Sequence, residues 1–160
     1  MISHALYFLK VLFADNYRAV DLLVQNYSLL VEILRLFDQN KLGQEDTENA
    51  LDTVISVFQE SSNEQLCLYI QDNPDIIEIF TEKVDIDANP DTVLRIINII
   101  ELITIIGHFL YSNQDLPYNP VLSYITDSIT VSNAMEQARL HSSHKVTTAL
   151  AELEIKFFIN

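Results

Sequence analysis

Apolar residues recur along most of the chain at spacings of three and four positions, which is the period of an amphipathic helix. Short polar breaks at 39–48, 59–63, 85–90 and 112–119 separate these patterns. The pattern predicts helices over 6–13, 19–24, 29–37, 50–58, 65–70, 75–84, 93–110 and 121–129, followed by one long last helix over 134–158. The chain is therefore predicted to be all-α.

The most apolar segment, residues 93–110, has the length of a membrane span. It contains Arg95, Asn98 and Glu101, and a charge near the centre of a spanning helix costs roughly 2.5–3.5 kcal/mol. On a helical projection its other face is wholly aliphatic. That face consists of Val93, Ile96, Ile99, Ile100, Ile103 and Ile106. We predict a core helix rather than a membrane span.

Three Asn-Pro steps, at 73–74, 89–90 and 119–120, each predict the start of a helix. An Asn side chain at the N-cap accepts hydrogen bonds from free backbone amides, and a proline at the first helical position has no amide to satisfy. In the last predicted helix, an apolar stripe follows spacings of four, three and four and is expected to pack as a terminal cap. The stripe consists of Val146, Leu150, Leu153 and Phe157.

Helical positions also recur at a spacing of 46 residues. The positions with this spacing are Leu30, Ile76 and Leu122, and again Ile33, Ile79 and Ile125. A period in the mid-forties is typical of armadillo and HEAT repeats. We predict one helical-repeat domain over 1–160, an armadillo/HEAT-like α-solenoid of about three repeats with a C-terminal capping helix. Its units are placed at about 2–40, 45–86 and 90–130, with the terminal helix at 133–158; a helical bundle with coincidental spacing is the alternative.

A further similarity lies in five segments of the first half. They are LLVEILRLF (29–37), EDTE (45–48), the stretch from 50 to 58, IIEIF (76–80) and VDID (84–87). Through them, residues 5–87 resemble the armadillo-like SMK domain of regulatory subunit 3 of protein phosphatase 4. The resemblance implies a non-catalytic scaffold that holds a phosphatase or its targets, with a phosphatase catalytic subunit as one partner.

Composition narrows the class of partner. With 23 acidic and 9 basic residues the formal net charge is −14, which repels nucleic acid and anionic membrane surfaces. A single cysteine, Cys67, fits a reducing compartment, and we expect a cytoplasmic or nuclear protein. The apolar run 5–14 is interrupted by Lys10 and is interpreted as the first helix rather than a signal peptide.

Catalytic and metal-binding patterns are weak. His141 and His144 could offer two imidazoles to a metal, but no third ligand has suitable spacing. Asp85 and Asp87 lack the remainder of a calcium loop, and two glycines in the chain leave no Gly-rich phosphate loop. We expect no enzyme activity, no cofactor and no metal.

The partner-binding prediction follows the repeat. By analogy with armadillo stacks, the helices near 28–38, 75–84 and 120–130 line a concave face. Its outward residues are Glu32, Glu78 and Tyr124 at the 46-residue spacing, flanked by Arg35, Glu82 and Asp127. We expect a basic or donor-rich protein segment to bind there; a merely solvated surface is the alternative. A subunit of a permanent complex, docking through its C-terminal helix and the apolar residues 157–159, is a further alternative, and an enzyme with an unrecognised site is the last.

Overall fold

The computed structural model describes residues 2–14, 16, 18–19, 28–38, 42–73, 76–113 and 119–158, and every regular element in those ranges is an α-helix. The all-α prediction is confirmed. The chain divides into two compact units, the N-terminal unit Met1–Asn73 and the C-terminal unit Pro74–Asn160. The solenoid arrangement and its three repeats stay predictions.

The N-terminal unit contains helices α1 (Ile2–Phe13), α2 (Ser28–Asp38), α3 (Gln44–Glu60) and α4 (Asn63–Asp72). Helix α3 contacts both α1 and α2. The core is built from the apolar positions that carry the three-and-four spacing. Its buried members include Leu6, Phe13, Ile33, Phe37, Leu51, Val54, Phe58, Leu66 and Ile70. The helix predicted over 19–24 lies mostly outside the described residues.

The C-terminal unit contains α5 (Ile76–Thr81), α6 (Pro90–Asn113), α7 (Pro120–Asp127), α8 (Ile129–Leu140) and α9 (His144–Phe157). Helix α6 is central and contacts α5, α7 and α9. All six aliphatic residues of its predicted inner face are buried, whereas Arg95, Asn98 and Glu101 are half-buried. Within the described ranges α6 is the one helix whose length and composition would suit a membrane span, and 56% of that stretch is buried inside the protein. The core-helix prediction is confirmed.

Asparagine caps open two of these helices as predicted. Asn89 Oδ1 accepts from the Asp91 amide at 2.8 Å, and Asn119 Oδ1 accepts from the amides of Val121 and Leu122 at 3.0 and 3.2 Å. At the third step, Asn73 Nδ2 donates to the Tyr69 carbonyl at the end of α4. Residues 74–75, on which that cap prediction depends, lie outside the described residues.

Glycine lets α6 and α7 approach closely. Asn119 Nδ2 also donates to the carbonyl of Thr104 in α6 at 3.3 Å, which holds the start of α7 against the α6 backbone. A Cβ built on Gly107 would lie 2.6 Å from the Cβ of Val121, far inside van der Waals contact. The junction therefore requires glycine at 107.

The structure differs from the single last helix predicted over 134–158, because α8 ends at Leu140 and α9 begins at His144. The intervening His141 is buried and has an extended backbone (φ −61°, ψ 140°). The predicted helix 121–129 likewise ends early, and Ser128 separates α7 from α8. The stripe on α9 has Val146, Leu150 and Leu153 buried and Phe157 half-buried, and α9 packs on α6 and α8. Its role as the terminal cap of a repeat stack stays a prediction.

Candidate functional site

Helix α1 has apolar residues on two opposite sides. Leu6 and Phe13 point into the N-terminal unit and are 2% and 0% exposed. The opposite side, here called the outer face, consists of Tyr7, Phe8, Val11 and Leu12, which are 60, 62, 57 and 37% exposed. With exposed His4, these residues follow the i, i+3, i+4, i+7, i+8 pattern of a helix that packs against a surface. The outer face is therefore an apolar helix surface, of the kind that packs against another element, that is exposed to solvent.

The outer face is larger than scattered apolar exposure explains. An aromatic side chain carries about 150–250 Å² of surface, so Tyr7 and Phe8 alone leave roughly 200–300 Å² in solvent. Among the described residues of the C-terminal unit, the most exposed large apolar ones, Ile129 and Ile155, lie on different helices. Single exposed apolar residues are normal, whereas a contiguous patch of several hundred Å² is often functional.

One edge of α1 is lined by carboxylates of α3. Ser3 Oγ donates to Asp46 at 2.9 Å, and Lys10 Nζ lies 2.6 Å from Asp52 Oδ2 and 3.4 Å from Asn49 Oδ1. Residues 3 and 10 are two turns apart, so both contacts lie on the same side of α1.

This edge is strongly acidic. Glu45, Glu48 and Asp52 share one face of α3 at spacings of three and four. Together with Asp46 they form what we call the acidic border, four carboxylates of α3 of which Asp46 contacts Ser3 and Asp52 contacts Lys10. Helix α3, which contacts this edge of α1, carries these carboxylates and no Lys or Arg, so it bears net negative charge.

A cleft of about 350 Å³ lies in the C-terminal unit. Its lining residues are Ile125, Thr126, Ser132, Asn133, Met135, Glu136, Arg139 and Phe158. Arg139 contacts Glu154 at 2.6 Å and also Glu136. The hydrogen bond and charge of Glu154, with the charge of Glu136, hold the pKa of Arg139 above its ordinary value. With two carboxylates on one guanidinium, this cleft does not present a free cation to an anionic ligand.

The predicted partner-binding residues divide between the two units. In the N-terminal unit Glu32 and Arg35 are exposed on α2 and form an ion pair at 2.8 Å.

In the C-terminal unit Glu78 and Tyr124 are half-buried, and Glu82 and Asp127 are exposed. Glu78 Oε1 accepts from Ser128 Oγ at 2.6 Å, so this carboxylate holds the junction between α7 and α8. The binding role of the six residues stays a prediction.

The two histidines considered for a metal differ in environment. Both ring nitrogens of His141 are engaged, because Nδ1 accepts from the Ser143 amide at 3.0 Å and Nε2 lies 2.9 Å from the Ala88 carbonyl. His144 is exposed. Among the residues that the structure describes, no three His, Cys, Asp or Glu side chains are grouped to hold a metal ion.

Sequence reasoning assigned residues 5–14 to a first helix without separating its two sides. The signal was present in the spacing, since Leu6 and Phe13 form one stripe and Tyr7, Phe8 and Val11 begin another. A helix that is apolar all round indicates packing on both sides. The exposure of one side becomes visible only in the fold.

Comparison with known proteins adds no family to these observations. No family model, no curated protein and no solved structure matches the chain. The resemblance to the SMK domain therefore stays a prediction, and the functional argument depends on the surfaces described above.

Proposed function

We propose that the chain is a non-catalytic protein-interaction module that binds its partner through the outer face of α1. The observation that carries the proposal is the contrast between the two sides of one helix. Leu6 and Phe13 are buried, while Tyr7 and Phe8 are about 60% exposed. An apolar helix side gains stability when another surface covers it.

The free energy gained by covering Tyr7 and Phe8 suits a docking site that needs additional contacts. At about 25 cal/mol per Å², covering the exposed parts of Tyr7 and Phe8 yields roughly 5–8 kcal/mol before the costs of association. Those costs are about 4–15 kcal/mol. The two aromatic residues are thus expected to supply the main attraction, and residues around them the remainder.

Two observations favour α1 over the other surfaces. Three residues of the α9 stripe, Val146, Leu150 and Leu153, are already buried in a helix that packs on α6 and α8. Of the C-terminal residues in the docking alternative, Phe157 and Phe158 are half-buried, and Ile159 lies outside the described residues. The cleft beside Arg139 offers an ion-paired guanidinium and small polar groups. A phosphatase catalytic subunit, the partner suggested by the SMK resemblance, is the first protein to test.

The proposal is tested by photo-crosslinking followed by a binding measurement. A photoreactive phenylalanine analogue is placed at Phe8 in the full chain, and at Ile129 as the control, because Ile129 is more exposed at 78% but isolated. We expect a discrete adduct with one protein from position 8 only.

The protein captured at position 8 is then purified, and its affinity for the chain is measured. We expect Phe8→Gln to weaken binding at least about tenfold, and Ile129→Gln to leave it unchanged. Crosslinking that is equal at the two positions, or binding that Phe8→Gln does not alter, contradicts the proposal.

A further inference from the structure

A partner that covers the outer face and extends past Ser3 and Lys10 reaches the acidic border of α3. We infer that the partner contributes a helix that is apolar on its contact side and basic along one edge. This inference rests on the proposed function, and it specifies the chemistry of the partner at the same site.

The shape of the outer face favours a helix. Tyr7 and Val11 form one ridge along α1 at a spacing of four, and Phe8 and Leu12 form a second ridge beside it. Ridges at this spacing leave a groove that accepts the side-chain ridge of a second helix. α1 is already packed against α3 on its other side, so a partner helix would complete a layer of helices.

The negative charge of the acidic border favours a partner helix with basic residues along its edge. Lys10 is the basic residue of α1, and its ammonium is held by Asp52 at 2.6 Å. Glu45 is exposed at the start of α3, on the same face as Asp52. Lysine or arginine side chains of a partner would reach this border from the outer face, while acidic ones would be repelled.

A second copy of the chain fits the surface poorly. A two-fold contact places the same patch of each copy against the other, and each copy carries a formal charge of −14. The exposed parts of Tyr7 and Phe8 from two copies add to roughly 400–600 Å². A stable interface of about 1,200 Å² would therefore also have to bury polar surface, and both copies carry the same negative charge. A basic partner can extend its contact over the acidic border, whereas a second copy cannot.

The test uses the full chain and two synthetic helical peptides of about 20 residues, long enough to form a helix. Both peptides carry the same leucine face; one has lysines along one edge and the other has glutamates there. Affinity is measured by fluorescence anisotropy at about 0.05 M and 0.3 M salt, between which surface charges become largely screened.

We expect the lysine-edge peptide to bind at least about tenfold more tightly at low salt, with the difference shrinking at high salt. Phe8→Gln should weaken both peptides. The double variant Glu45→Gln, Glu48→Gln should weaken only the lysine-edge peptide. The matched control Asp87→Asn, Glu152→Gln makes the same change in net charge on exposed residues of the C-terminal unit, and should change neither.

Other results separate the two proposals. Equal affinity for the two peptides, with both weakened by Phe8→Gln, overturns the basic edge and retains the outer face as a docking site. Peptide binding that is indifferent to Phe8→Gln overturns both.

Two other occupants are tested directly. A concentration-dependent dimer in light scattering that Phe8→Gln abolishes would assign the face to a second copy and overturn the inference. Phe8-dependent cosedimentation with phosphatidylcholine vesicles would assign the face to lipid and overturn it as well.

Discussion

One buried side chain, His141, joins separate backbone segments of the C-terminal unit. Its Nδ1 accepts from the Ser143 amide, so Nε2 carries the proton and donates to the carbonyl of Ala88, 53 residues earlier. The imidazole thereby ends α8 and fixes the loop before α6. These bonds explain why the residue considered for a metal is instead part of the core.

Replacing His141 should therefore destabilise the fold. His141→Phe keeps an aromatic side chain at this position but removes the hydrogen bonds to Ala88 and Ser143. We expect the free energy of unfolding to fall by about 1–3 kcal/mol, measured by urea denaturation with circular dichroism. His144→Phe, at an exposed position, should change it by less than about 0.5 kcal/mol. If the two variants changed the free energy of unfolding equally, the hydrogen bonds of His141 would contribute nothing to stability.

Gly107 gives a second prediction at the scale of single residues. An alanine methyl there would overlap Val121 at the start of α7, and overpacking of this kind costs about 1–3 kcal/mol. The control is Gly43→Ala, because a Cβ at Gly43 meets nothing within 4 Å and its φ of −72° suits any residue. We expect Gly43→Ala to lower the free energy of unfolding by less than about 1 kcal/mol. A stability order opposite to this one in thermal unfolding would disprove the close approach of α6 and α7.

At the scale of elements, Glu78 connects α5 to the junction of α7 and α8. Ser128 Oγ accepts from the Val131 amide at 3.3 Å as the N-cap of α8, and donates to Glu78 Oε1. Glu78→Ala should lower the free energy of unfolding by about 1 kcal/mol, whereas Glu82→Ala at an exposed position should leave it within about 0.5 kcal/mol. Urea midpoints of the two variants provide the measurement.

This role of Glu78 changes how the predicted acidic surface is tested. A charge reversal at Glu78 would alter folding as well as any binding. Glu32 is exposed and pairs only along its own helix with Arg35 among the bonds described, so Glu32→Lys tests binding alone. If Glu78→Ala and Glu82→Ala unfold at the same urea concentration, this structural role of Glu78 is ruled out.

Helix position and capping were predictable because their determinants are local. Asn119 accepts from amides two and three residues away. The inner face of α6 is defined by apolar residues that are mostly three or four positions apart. The break at 141–143 was not predicted, since one of the two bonds of the His141 side chain reaches the carbonyl of Ala88, 53 residues earlier. The acidic border was equally hidden, because Ser3 and Lys10 meet α3 about 40 residues later in the chain.

At the scale of the whole molecule, the two compact units and the predicted solenoid lead to different behaviour on truncation. In a stack of repeats each unit depends on its neighbours, and about three are needed for stability. The C-terminal unit instead has a core of its own around α6, with Ile96, Ile103 and Val131 buried together with Leu150 of α9. Its internal bonds, such as Lys156 with Glu101 at 2.6 Å, also close within Pro74–Asn160.

We therefore expect a fragment of residues 74–160 to fold without the N-terminal unit. It should show a helical circular dichroism spectrum and one cooperative urea transition. His141→Phe should lower the free energy of unfolding of the fragment by the same amount as in the full chain, because Ala88 and Ser143 are both retained. An equal effect of His141→Phe in the fragment and in the full chain is the control for native packing. The stability of a loosely collapsed helical fragment would not change when one buried hydrogen-bonding group is removed. A fragment that is unfolded, or helical but insensitive to His141→Phe, would show that the C-terminal unit needs the first 73 residues, as the stacked-repeat prediction requires.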